Sequence, residues 1–127
     1  EAEAFVQAAD SIEGPALHCR GVHSRGDIAH RLRDLGIEAD EAVLYDQVAQ
    51  PLSMAALQIL SGNGRVVAPV FSPRTAKLLG GNGVITAAFT LIAMSRAVAD
   101  AWKGPGTVLI AKHPTSDAMC ALTVEQF

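Results

Sequence analysis

The stretch RVVAPVFSPRTAKLL, Arg65 to Leu79, decides the fold class. Arg65 to Phe71 is an apolar, β-branched run of strand length. Ser72 and Pro73 then break it and supply a capping hydroxyl and a first-turn proline, so a short helix is expected from Pro73 to Leu79. Pro69 has no N–H to donate to a ladder, which places this strand at a sheet edge or at a bulge. A strand that turns directly into a helix is half of a βαβ unit.

The same alternation recurs on both sides. Upstream, residues 2–10 read as a short helix closed by Ser11 to Pro15, and Pro15 to Arg20 as a strand. Gly26 to Leu35 reads as a helix with Ile28, Leu32 and Leu35 on one face and Gly36 at its end. Ala42 to Asp46 is a strand and Pro51 to Leu60 a helix. Downstream, Phe89 to Met94 and Thr107 to Ala111 read as strands, and Arg96 to Trp102 and Thr115 to Val124 as helices. The expected class is α/β, a parallel sheet with flanking helices whose apolar strands are buried on both faces. Gln47 to Pro51 is the best linker.

Composition excludes several classes. Half of the 127 residues are hydrophobic and 18% charged, too apolar for disorder. Aromatics are 5%, so the core is built of small aliphatics. A net charge of -3 argues against nucleic acid. No apolar run approaches the roughly 20 residues that span a bilayer. The acidic start is no signal peptide, and a cytoplasmic setting is expected. Cys19 and Cys120 fit neither a disulfide framework nor a metal spacing, and the histidines do not suggest zinc. There is no dinucleotide fingerprint, phosphate loop or nucleophile elbow. Gly80 to Gly83 precedes a strand, the wrong order for phosphate.

Chemistry concentrates where strands end. Arg20-Gly21, Ser72-Pro73-Arg74-Thr75, Ser95-Arg96 and Thr115-Ser116 each follow a strand, and in an open α/β sheet such turns share the ligand-binding edge. Helix N-termini, hydroxyls and guanidinium groups suit an anion, while the bland reading makes the hydroxyls helix caps. His18 to Arg33 is the most basic segment, with Arg20, Arg25, Arg31 and Arg33. Tyr45, the sole tyrosine, could move a proton at its tip or simply bond a backbone group.

Four motifs in order resemble the uroporphyrinogen-III synthase family: Leu17-His-Cys-Arg-Gly21 followed by Gly26 to Leu32, Ala42-Val-Leu-Tyr-Asp-Gln47 before Pro51, Val70-Phe-Ser-Pro-Arg-Thr-Ala76, and Leu91-Ile-Ala-Met-Ser95. The resemblance implies a lyase that closes hydroxymethylbilane, a linear polycarboxylate tetrapyrrole, into uroporphyrinogen III. The last pyrrole ring is inverted through a spiro intermediate, and no metal or cofactor takes part. It implies two α/β domains with substrate in the cleft between them, a monomer, and hand-over from hydroxymethylbilane synthase. Tyr45 matches the proton-donating tyrosine. Arg20 and Gly21, Ser72, Pro73, Arg74 and Thr75, and Ser95 and Arg96 match substrate-side turns, though Arg96 departs from the usual Gly-Pro-Thr-Thr or Ser-Pro-Ala. On this resemblance residues 1–46 belong to the second, inserted domain, 47–51 to the return linker and 52–127 to the first domain. The chain then reads as a portion of a longer one, inactive alone. The alternative is a non-catalytic ligand-binding or regulatory module that keeps the fold.

Overall fold

The computed structural model describes residues 2–9, 13–24 and 26–127, with residues 2 and 3 described by backbone alone. Arg25 of the basic segment and the helix stop at Ser11 lie outside the described residues. The chain divides into two compact units, Glu1–Ala49 and Gln50–Phe127.

The first unit runs α1 (Ala2–Gln7), β1 (Ala16–Gly21), α2 (Ile28–Asp34), β2 (Ala39–Tyr45). β1 and β2 form a two-stranded parallel sheet. α2 packs on both strands and places Ala29 and Leu32 against Ala39, with Ala16, Ile28 and Ile37 around them. Gly36 ends α2 as expected. Its φ of 83° is left-handed, its N–H donates to the Arg33 carbonyl and the Ile37 N–H to that of Leu32, a Schellman motif. β2 begins at Ala39, three residues before the expected Ala42, because Asp40 and Glu41 hide its start from a hydropathy reading.

The second unit runs α3 (Met54–Ser61), β3 (Arg65–Val70), α4 (Pro73–Gly80), β4 (Ala88–Ala93), α5 (Arg96–Ala101), β5 (Thr107–Ile110), α6 (Ser116–Val124). Its three strands are parallel in the order β3-β4-β5. Pro69 therefore sits on an edge strand, opposite Ile92. α3 starts later than Pro51, at Met54, where the Ser53 hydroxyl accepts the Ala56 N–H at 3.2 Å.

The strands form two parallel sheets, one in each unit. One expectation is corrected. Burial on both faces holds for β4, where Leu91 and Ile92 are 0% exposed. Leu91 packs in a cluster with Phe89, Val98 and Trp102, and Ile92 with Ala111 and Met119 on the other side. It fails for β2, whose Val43, Leu44 and Tyr45 are exposed. The physical reason is coverage: helices flank the three-stranded sheet on both faces, while the two-stranded sheet has its buried cluster on one.

Candidate functional site

In each sheet the parallel strands bring their carboxyl ends to one edge. In the first unit that edge carries Arg20, Gly21, His23, Tyr45 and Asp46. The strands pair in step from Ala16 opposite Ala39 to Arg20 opposite Val43, then slip by one, so that Gly21 faces Tyr45 and Leu44 is left over. Side chains alternate along a strand, so without the slip Tyr45 would share the face of Val43 and Arg20. The bulge transfers it to the face of Gly21. A Cβ at Gly21 would lie 2.6 Å from Cε2 of the tyrosine ring and 2.9 Å from Cζ, so the ring rests on the bare Cα of glycine. The Val22 N–H donates to the Tyr45 carbonyl at 2.9 Å and fixes the strand end. Tyr45 is 57% exposed, and its hydroxyl has no hydrogen-bond partner among the described residues. The bland alternative, a half-buried phenol bonded to backbone, is not what the structure shows.

Arg20 is occupied within the unit. Its Nε donates to Glu41 Oε2 at 2.9 Å and its Nη2 to Oε1 at 2.7 Å, a two-pronged pair. Its Nη1 reaches the carbonyls of Gly21 at 3.1 Å and Val22 at 3.4 Å. The hydrogen bond from Arg20 holds the Glu41 carboxyl below its usual range and raises Arg20 in turn. Sequence reasoning missed Glu41, and a pairing of residues 20 and 41 has no local signal. Nearby, His23 Nε2 stands 3.6 Å from Asp46 Oδ1, both half-exposed.

In the second unit the turns after β3 and β4 differ chemically. Ser72 is the N-cap of α4: its Oγ accepts the Thr75 N–H at 3.1 Å and lies 2.8 Å from Thr75 Oγ1, so one hydroxyl donates to the other. Pro73 is at the first helical position and Arg74 follows it. Ser95 is the N-cap of α5 but makes no capping bond, and the exposed Arg96 stands in the first turn. Neither helix has an acidic residue in its first turn. An arginine there opposes the helix dipole, at a cost of about 0.3–1 kcal/mol. α6 follows the ordinary pattern, with Thr115 accepting the Ala118 N–H and Asp117 in the first turn. The hydroxyls of Ser72 and Thr115 thus act as helix caps, while that of Ser95 does not.

Other features lie away from these edges. Trp102 is core, stacked on Phe89 at 5.2 Å. A mostly apolar concavity of about 280 Å³ is lined by Phe5, Ala16 to Cys19, Ile28 and Leu32, with His18 Nδ1 buried and without a hydrogen-bond partner among the described residues. Among the described residues no group of three His, Cys, Asp or Glu converges as a metal site would, and no helix is long and apolar enough to cross a membrane.

No curated protein matches the chain. The crystal structure of uroporphyrinogen-III synthetase from Helicobacter pylori superposes with a TM-score of 0.70 at 19% identity, covering 98% of this chain and 58% of that one. The chain thus shares that fold and spans under two thirds of that protein's length. The family profile described as uroporphyrinogen-III synthase HemD matches residues 2–121. With nearly its whole length matched, the chain belongs to the uroporphyrinogen-III synthase family.

Proposed function

We propose that these residues serve the closure of hydroxymethylbilane to uroporphyrinogen III, with inversion of the last pyrrole ring and loss of water. The observation that carries this reading is Tyr45, an exposed phenol with no hydrogen-bond partner among the described residues, held on Gly21 at the carboxyl edge of its sheet. The phenol O–H donates its proton to the departing hydroxyl of the hydroxymethyl group, and water leaves. The pyrrole stabilises the resulting cation, so departure is easy and the harder task is deciding which carbon closes the ring. That is a task of positioning. In this reading Arg74 and Arg96, with the hydroxyls of Thr75 and Ser95, receive substrate carboxylates at the positive starts of α4 and α5, and Ser72 and Pro73 shape the first turn of α4. Gly21 lines the turn that carries Tyr45. Arg20 contributes by holding that turn, since its donors are spent on Glu41 and two carbonyls.

On the same reading residues 1–46 are part of the family's inserted second domain, 47–51 the return linker and 52–127 part of the first domain. We expect a cytoplasmic, cofactor-independent monomer that takes substrate from hydroxymethylbilane synthase. Because the chain spans 58% of the solved relative, we expect no turnover from these 127 residues alone.

The test supplies hydroxymethylbilane to the longest polypeptide that contains these residues and resolves the product isomers. Uroporphyrinogen III is the expected product, with Tyr45→Phe slowing its formation about tenfold or more. Only the spontaneous isomer I would defeat the proposal. Tight binding of a polycarboxylate tetrapyrrole without turnover would instead favour a non-catalytic binding module.

A further inference from the structure

We propose that Arg20 and Glu41 are positioning residues that hold Tyr45 on the Gly21 face of the sheet by locking the one-residue slip between β1 and β2. The proposal deepens the reading of Tyr45 as proton donor and rests on it for its catalytic consequence, although the geometry stands by itself. Glu41 precedes Val43 by two residues on β2 and lies on the face it shares with Arg20, below the slip. From there it anchors the guanidinium by two bonds, at 2.9 and 2.7 Å. The third arm of the guanidinium then reaches around the end of β1 to the Gly21 and Val22 carbonyls at 3.1 and 3.4 Å. Those are the residues at and just beyond the slip. Val22 in turn donates to the Tyr45 carbonyl at 2.9 Å.

A slip of one residue moves every following side chain to the opposite face of a sheet. Released from Arg20, the end of β1 can re-pair in step, with Gly21 opposite Leu44, and Tyr45 then returns to the face of Val43. An exposed ion pair contributes little to stability, so the bidentate geometry and its reach to two carbonyls make more sense as control of register. The pair acts through Tyr45 and is not itself placed on substrate.

Tyr45 is the only tyrosine of the chain, so its ring can be observed alone. In the wild type, NMR should show proximity between the Tyr45 ring protons and the Gly21 Hα protons, the latter shifted upfield by the ring. Glu41→Gln, which keeps the shape and removes the charge, should abolish both signatures with an unchanged far-ultraviolet circular dichroism spectrum. Arg20→Lys, which keeps the charge and removes the fork, should do the same and serves as the second route if Glu41→Gln unfolds the unit. Persistence of both signatures in the folded variants overturns the proposal.

In the longest polypeptide containing these residues, Glu41→Gln should lower kcat for uroporphyrinogen III about tenfold with KM little changed. In a Tyr45→Phe background the same change should have almost no further effect. If Glu41→Gln frees the ring from Gly21 and leaves kcat unchanged, the positioning is upheld and the catalytic reading of Tyr45 is overturned instead. An equal fall in kcat with and without Tyr45 shows that the pair acts elsewhere and overturns the proposal.

Discussion

The two units solve the same folding problem with unequal means. Gln50–Phe127 encloses its central strand: Leu91 packs with one set of helices and Ile92 with another, and both are fully buried. Among its described residues Glu1–Ala49 buries mostly alanine, with Leu32 the one large side chain of its buried cluster, and leaves Leu44 66% exposed. Apolar area removed from water sets most of folding stability, so the first unit starts with far less of it. Yet that unit carries the exposed phenol. Its geometry is written in backbone register, a glycine and one ion pair, none of which needs a large core. Precision at Tyr45 and stability of the sheet beneath it are thus separate properties, and separate mutations should expose them.

The largest effect is expected from Leu91→Ala. It empties a fully buried site beside Trp102 and should cost about 2–5 kcal/mol. Trp102 is the only tryptophan and reports on its own unit by fluorescence, while the absorbance of Tyr45 reports on the other. A denaturant midpoint of Trp102 that does not move would break the contrast between the units.

Leu32→Ala comes next, at about 2–3 kcal/mol, the lower part of the range because exposed neighbours can relax into the gap. Followed by Tyr45 absorbance, it should consume a larger share of its unit's stability than Leu91→Ala does of the other. Equal fractional losses would show that the first unit is held by more than its alanine cluster.

Helix ends provide smaller, matched changes. Thr115→Ala removes the hydroxyl that accepts the Ala118 N–H of α6, and Gly36→Ala puts a side chain at a φ of 83° at the end of α2. Each should cost about 1 kcal/mol. Because the first unit has less to lose, Gly36→Ala should shift its thermal midpoint more than Thr115→Ala shifts that of the second.

What the sequence discloses follows the same division. The helices and strands of the second unit are legible from Arg65 to Val124, because Pro73, Ser72 and Thr115 punctuate them and Leu91 and Ile92 mark a strand buried on both faces. In the first unit Gly36 announces the end of α2, but Asp40 and Glu41 disguise the start of β2. At the site, Tyr45, Gly21 and the turns Ser72 to Thr75 and Ser95 to Arg96 can be read as candidates from their place after strands. The slip that aims Tyr45 cannot, since register belongs to a pair of strands and leaves no mark on either. For the same reason Arg20 reads as a free cation from sequence, while its partner Glu41 stands on the neighbouring strand.

The smallest effect is a matter of pH and separates the latch from the core. The Glu41 carboxyl is held below its ordinary 4.5 chiefly by the hydrogen bond from Arg20. A carboxylate with a folded value below its unfolded one binds fewer protons when folded, so it stabilises fully above 4.5, and the contribution fades as pH falls through the folded value. Both partners reach solvent, which keeps the contribution small and sensitive to salt. On acidification below 4.5 the packing of the Tyr45 ring on Gly21 should weaken in the wild type before the unit unfolds. Glu41→Gln should already lack that packing at neutral pH and show no such acid transition. Leu91→Ala should keep the transition unchanged, because a cavity in the other unit alters no protonation at Glu41. Wild-type ring packing that persists until the whole unit unfolds in acid would mean that the backbone holds the slip without the ion pair. The difference between the units would then lie in their cores alone.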